Sequence, residues 1–238
     1  MIEVRDLTKR FPSVLAVDRV SFSTGRGEVF GLLGPNGAGK TTTLRMILSI
    51  LTPTSGRILI DGIDVSINPL QARNRIGSVL EDNGVYDRFT ALENVLFFGR
   101  LYGLGEEEVR ARASQLFATL DMTDFALRRA GTFSKGMKQK TAIARALIAD
   151  PPVLVMDEPT AGLDVPTQRV ILDLLKAHRG QGKTILYSTH IMSEAEELCD
   201  RVAIIDQGRL RAVGTLAELR QQTEQRSLAD VFMKLVET

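Results

Sequence analysis

Cysteine, net charge and long apolar stretches are all scarce in this sequence, and each scarcity excludes something. The only cysteine among 238 residues is Cys199. It leaves no intrachain disulfide and no cysteine-built metal cluster, and it is expected to pack as a small apolar residue. Lys and Arg number 30 against 29 Asp and Glu, a net charge of +1 at pH 7. That balance gives no overall pull toward nucleic acid or anionic lipid. The longest stretches free of Asp, Glu, Lys and Arg are eleven residues, Val29–Gly39 and Met46–Gly56. A spanning helix needs about twenty apolar residues, so no membrane crossing is expected. The opening MIEVRDLTKRF lacks the apolar segment of a secretory signal, which makes the cytoplasm the expected compartment. No internal repeat or low-complexity tract is present. What is there, 44% hydrophobic and 25% charged, is the composition of a globular protein. Its length suits one large α/β domain, or one with an inserted lobe.

The richest stretch is GPNGAGKTT, Gly34–Thr42. It fits G-x-x-x-x-G-K-T, with Gly39, Lys40 and Thr41 closing the pattern. The spacing is that of a phosphate-binding loop. Glycines allow successive backbone N–H groups to point at one anion, and the following helix adds the positive end of its dipole. Lys40 would reach the β- and γ-phosphates and the Thr41 hydroxyl would ligate Mg²⁺. The context is right: EVFGLL before the loop reads as a short buried strand, and Leu44, Ile47, Leu48 and Leu51 behind it have helical spacing.

Around this loop, Ile2–Leu7, Val20–Ser23 and Arg57–Ile60 alternate apolar and polar residues, as strands of an antiparallel layer do. Phe11 lies between two basic residues and a proline; it suits either a core position or a face for stacking a base. From about Asp82 to Asp150 the pattern turns helical, in ALENVLFFGRLYGL and EEEVRARASQLFATL, and reads as an inserted lobe. A helix is expected over Lys135–Ala149. Val153–Met156, Thr184–Ser188 and Arg201–Ile205 are apolar runs suited to buried parallel strands. Pro166 is placed to open a helix that ends at Gly180 or Gly182. Ser193 and Glu196 form a capping-box pattern for the next one, and the tail from Thr215 is helical. His178 shares helical spacing with Ile171, Leu174 and Leu175 and reads as a packed residue without a role. Strands alternating with helices predict a mainly parallel sheet covered on both faces.

Two acids, Asp157 and Glu158, end the Val153–Met156 strand. Adjacent carboxylates repel each other, and a bound cation would relieve them. Beside a phosphate loop, Asp157 would hold Mg²⁺ and Glu158 would polarise an attacking water. His190 ends another strand, a place that suits a γ-phosphate sensor.

With these residues in place, the chain resembles the nucleotide-binding subunit of an ABC (ATP-binding cassette) transporter over nearly its whole length. Gly34, Pro35, Asn36, Gly37, Ala38, Gly39, Lys40, Thr41 and Thr42 look like the Walker A loop, and Leu154–Glu158 like the Walker B strand. FSKGMKQ, Phe133–Gln139, resembles the signature of the family, AGLD, Ala161–Asp164, its D-loop, and His190 its switch histidine. The resemblance implies a phosphate-loop (RecA-like) α/β fold of mainly parallel sheet, with an antiparallel layer and a helical insertion. Residues 1–81 and 151–238 would form the catalytic core and 82–150 the lobe. It implies ATP and Mg²⁺ as cofactors, Phe11 stacking on adenine, Glu158, His190 and Glu81 as catalytic groups, and Thr41, Asp157 and Glu81 at the metal. Ser134, Lys135, Gly136 and Asp164 would meet the nucleotide bound by a second cassette, expected to be an identical chain. Two departures stand out: Lys135 and Met137 replace a glycine and the glutamine of the common LSGGQ signature, and Glu81 stands where the Q-loop carries glutamine. Both FSKGM and the acidic Q-loop at Glu81 resemble exporters of the sodium-extrusion and drug-resistance kind, and the tail SLADVFMKL is similar to the end of those subunits. Their cassette docks on a separate membrane permease, at the inner face of the cell membrane, and binds no nucleic acid. The alternatives are a soluble cassette ATPase of repair or translation and a phosphate-loop kinase.

Overall fold

The computed structural model describes residues 1–80 and 84–236. The chain begins with β1 (Ile2–Arg10), β2 (Leu15–Ser23), β3 (Val29–Leu33), α1 (Lys40–Ile47), β4 (Ser55–Ile60), β5 (Ile63–Asp64), α2 (Pro69–Arg73) and β6 (Ile76–Val79). Then come α3 (Ala91–Leu101), α4 (Glu106–Thr119) and α5 (Lys135–Leu147). The last part holds β7 (Val153–Asp157), α6 (Val165–Gly180), β8 (Thr184–Thr189), α7 (Met192–Leu198), β9 (Arg201–Asp206), β10 (Arg209–Thr215), α8 (Leu216–Thr223) and α9 (Leu228–Val236).

Two sheets result. One is antiparallel, in the order β2-β1-β4-β5; the other has six strands in the order β10-β9-β3-β8-β7-β6, all parallel pairs except β10 on β9. The central strands are apolar on both faces because both faces are covered. Phe30 and Leu32 of β3, with Val153 and Val155 of β7, join the core under the antiparallel sheet and α1. Val29 and Leu33, with Leu154 and Met156, join the core shared with the helices on the other face. Side chains alternating across each strand supply both. Phe22 of the antiparallel sheet stacks on Phe30 of the parallel one, ring centroids 5.1 Å apart, so an aromatic pair joins the layers.

The register sets the site. Leu33 pairs with Thr189, and Asp157 with Ser188. The ends of β3, β8 and β7 therefore reach one edge of the sheet together, where parallel sheets place their ligands.

Several expectations change. β1 and β2 extend beyond the alternating segments to nine residues each. Helix α1 stops at Ile47, leaving Leu51 outside it, and α5 stops at Leu147 rather than Ala149. Neither α2 nor strand β10 was expected. The Ser193–Glu196 capping box does not form: α7 begins after Ile191, with no side-chain cap. Glu196 instead takes Arg220 (2.7 Å) and the Leu228 N–H (2.7 Å), so tertiary partners outcompete the local one. Asp164 caps α6, with Pro166 in its first turn as expected.

Candidate active site

The loop after β3 is shaped by two close approaches. A Cβ on Gly39, at φ +104°, would lie 2.5 Å from the Ala16 carbonyl oxygen. One on Gly34 would lie 2.3 Å from that of Ile205. Only glycine fits either place. Gly34 and Ala38 are buried in the loop's base, while Pro35, Asn36, Gly37, Gly39, Lys40, Thr41 and Thr42 line a cavity of about 280 Å³ with Ala16 and Glu158. Helix α1 starts at Lys40, with no side-chain cap and no acid in its first turn. Its first N–H groups therefore have neither an intrahelical acceptor nor a capping side chain, which suits an anion. Gly39→Ala is expected to destabilise the fold by more than about 1 kcal/mol and to remove nucleotide binding. Denaturant titration and nucleotide titration check this; parental stability in the Gly39→Ala protein would refute the packing argument.

Lys40 is only 5% exposed. Its ammonium donates to the carbonyls of Gly34 (2.7 Å) and Pro35 (3.1 Å) and pairs with Glu158 Oε1 at 3.3 Å. Glu158 Oε2 accepts from His190 Nδ1 at 3.0 Å. One carboxylate thus bridges the loop lysine and the histidine that follows β8. Glu158 sits in the left-handed region, φ +46°, an unfavourable conformation for a non-glycine residue. Its N–H donates to the backbone oxygen (3.1 Å) and hydroxyl (3.2 Å) of Ser188.

Asp157 is 1% exposed. Its Oδ1 accepts from the Ser188 hydroxyl at 2.5 Å, and its Oδ2, equally buried, has no hydrogen-bond partner among the described residues. Buried acceptors are rarely left so; a hydrated cation would satisfy this one. No group of three or more His, Cys, Asp or Glu suited to a metal occurs among the described residues. Few protein ligands are what a Mg²⁺ shared with phosphates requires. The donor set fits Mg²⁺.

Ser134, Lys135, Gly136 and Asp164 gather elsewhere. Ser134 caps α5, its hydroxyl accepting the Met137 N–H at 3.2 Å. A Cβ on Gly162 would lie 2.8 Å from the Lys135 ammonium, and one on Gly136 3.4 Å from Thr167. Asp164 accepts the Thr167 N–H and hydroxyl at 2.9 and 3.0 Å, and these bonds hold its carboxyl below the usual range. None of the four lines the loop cavity. Phe11 occupies the turn between β1 and β2; at 36% exposed, with the Lys9 ammonium 5.2 Å from its ring centroid, it is no core residue. Glu81 lies outside the described residues. His178 binds the Leu174 carbonyl of its own helix. Cys199 is buried, which pushes its thiol well up. Sequence reasoning missed Ser188, which reaches both Asp157 and Glu158, and Ala16; only strand pairing and layer packing bring them in.

Three comparisons bear on this arrangement. Residues 17–161 match the family model described as ABC transporter. The ABC transporter ATP-binding protein NatA of Bacillus subtilis (strain 168) is 46% identical over 242 residues, covering 99% of this chain and 98% of that protein. A solved structure described as the ATP-binding subunit of an ABC transporter superposes with a TM-score of 0.92 at 33% identity, covering 99% of both chains. Another, an ATP-binding cassette in a dimeric post-hydrolysis state bound to ADP and Pi, gives 0.83 at 29% identity, covering 91% of this chain and 99% of that one.

Proposed function

This chain belongs to the ABC transporter family as its ATP-binding, ATP-hydrolysing subunit, and from that premise we propose which groups do the work. The phosphates lie in the cavity of the Gly34–Thr42 loop, against the N–H groups opening α1 and the Lys40 ammonium, with adenine stacked on Phe11. Thr41 and Asp157 would hold Mg²⁺, with Glu81, which lies outside the described residues, as the further candidate ligand. When bound, Mg²⁺ neutralises charge building on the phosphate oxygens. Glu158 is the general base, and His190 orients it.

The observation that carries this reading is the Lys40–Glu158–His190 bridge. Phosphate oxygens compete with Glu158 for the ammonium. Nucleotide binding then frees one carboxylate oxygen for water while His190 keeps hold of the other. Base and phosphate binder are thereby coupled.

Ser134, Lys135, Gly136 and Asp164 do not line their own chain's cavity, and an identical chain placed head to tail would supply them to it. We assign residues 82–150 to a lobe carrying this surface and 1–81 with 151–238 to the catalytic core. Among the described residues no helix is long and apolar enough to cross a membrane; in the exporter group that FSKGM resembles, a separate permease carries the substrate, and we assign this chain the same division of labour. This chain sits on that permease at the inner face of the cell membrane, and export is the direction suggested by FSKGM and the SLADVFMKL tail. Nothing observed favours a family member unconnected with transport.

The test is the assembly. A Glu158→Gln protein should dimerise on adding ATP and dissociate with ADP, read by light scattering after size exclusion. Ser134→Arg in that background should block dimerisation while ATP still binds, at about 1 kcal/mol of lost capping. A dimer indifferent to nucleotide and to Ser134→Arg would place the contact elsewhere; a monomer throughout would rule out self-pairing.

A further inference from the structure

A buried carboxylate outside the proposed site ties two of its parts together. Glu194, in the first turn of α7, is 6% exposed. Its Oε2 accepts from the hydroxyls of Tyr187 (2.7 Å), Thr160 (2.9 Å) and Thr189 (3.2 Å). Its Oε1 is buried without a hydrogen-bond partner among the described residues. A carboxylate in such a place is costly as packing alone.

The donors are not scattered. Thr160 follows Glu158 by two residues, and its carbonyl accepts the Leu163 N–H at 3.2 Å, which fixes the turn after the acid. Thr189 immediately precedes His190, and its hydroxyl accepts the Ile191 N–H at 2.9 Å, closing the backbone around that histidine. Tyr187, fully buried on β8, anchors the carboxylate to the sheet. One oxygen therefore holds both the segment leaving Glu158 and the turn presenting His190, whose side chains meet at 3.0 Å. We propose that Glu194 is a positioning residue for ATP hydrolysis, fixing Glu158 and His190 relative to each other from beneath the site. The inference rests on the reading of Glu158 as base.

Charge-assisted bonds to a shared oxygen are stronger and more directional than neutral ones. Glu194→Gln keeps the shape and removes the charge; Thr160→Val keeps the shape and cuts one tether. Misplacement by up to about 1 Å lowers turnover by about ten- to a hundredfold. Each variant should show that loss in kcat, with the ATP dissociation constant unchanged within about twofold. The double variant should be little worse than the single ones, because both cut the same linkage. Thr160→Ser, which retains the hydroxyl, should restore turnover. Leu219→Ala, a core truncation in α8, serves as a control that lowers the melting temperature and leaves kcat alone. If Glu194→Gln and Thr160→Val melt lower yet turn over like that control, the network is structural and the inference is overturned. Glu158→Gln in the same assay separates the two levels. If it is inactive while Glu194→Gln turns over normally, only the positioning role fails. If Glu158→Gln hydrolyses at the parental rate, the base assignment falls and this inference with it.

Discussion

Glu158→Gln is expected to bind ATP at least as tightly as the parent and to hydrolyse it about 10²–10⁴-fold more slowly, the usual loss on removing a general base. Glutamine keeps an oxygen that can accept from His190 Nδ1, now 3.0 Å from the carboxylate, so the turn should keep its shape. It cannot take a proton from water. It also gives up the ion pair with Lys40, the competitor that phosphate must displace. Binding should therefore hold or improve while chemistry stops, a split that general damage to the site would not produce. Equilibrium binding and single-turnover hydrolysis on one preparation measure both halves. Parental hydrolysis would show that another group activates the water.

Lys40→Ala should abolish the stabilisation that nucleotide confers. At a hundred times its dissociation constant, Mg-ATP stabilises the parent by about 2.7 kcal/mol, a melting shift of about 5–10 °C for a chain of this size. The variant should show none. Lys40 also satisfies the Gly34 and Pro35 carbonyls and neutralises Glu158, so its loss should cost the ligand-free protein about 1–3 kcal/mol. Lys40→Met separates the effects, because it keeps the apolar stem in the buried space. It should melt closer to the parent and still gain nothing from Mg-ATP. A full shift in either variant would move the phosphates away from this loop.

Local features were legible in the sequence wherever a short segment carries its own explanation. The strand–loop–helix around Gly34–Thr42 follows from glycine geometry and an apolar run. Pro166 marked a helix start that the structure has, and there the structure adds Asp164 as its cap. The same kind of reasoning failed at Ser193 and Glu196. The S/T-x-x-E pattern does form boxes at Thr90–Glu93 and Thr215–Glu218, but at α7 the glutamate has Arg220 and the Leu228 backbone within reach. A local signal of about 1 kcal/mol yields once a distant partner offers a charged one. Phe11 shows the opposite limit: its neighbours in sequence left two readings open, and its 36% exposure at a hairpin turn removed the core one.

By itself, then, the order of residues determined the glycine-rich strand–loop–helix of Gly34–Thr42, that an acid pair ends a buried strand, that a helical stretch interrupts the sheet, and that no segment is long and apolar enough to span a membrane. These depend on spacing within short segments. Only the tertiary structure decided that β8 lies between β3 and β7, since strand order is set by which apolar faces pack together across the whole chain. That order brings Lys40 and His190, which lie far apart along the chain, to within 3.3 Å of the one Glu158 carboxylate. It also sets Ser188 under both acids, holds Ser134 and Asp164 outside the loop cavity, and buries Glu194 beneath the turn that His190 shares with Thr189.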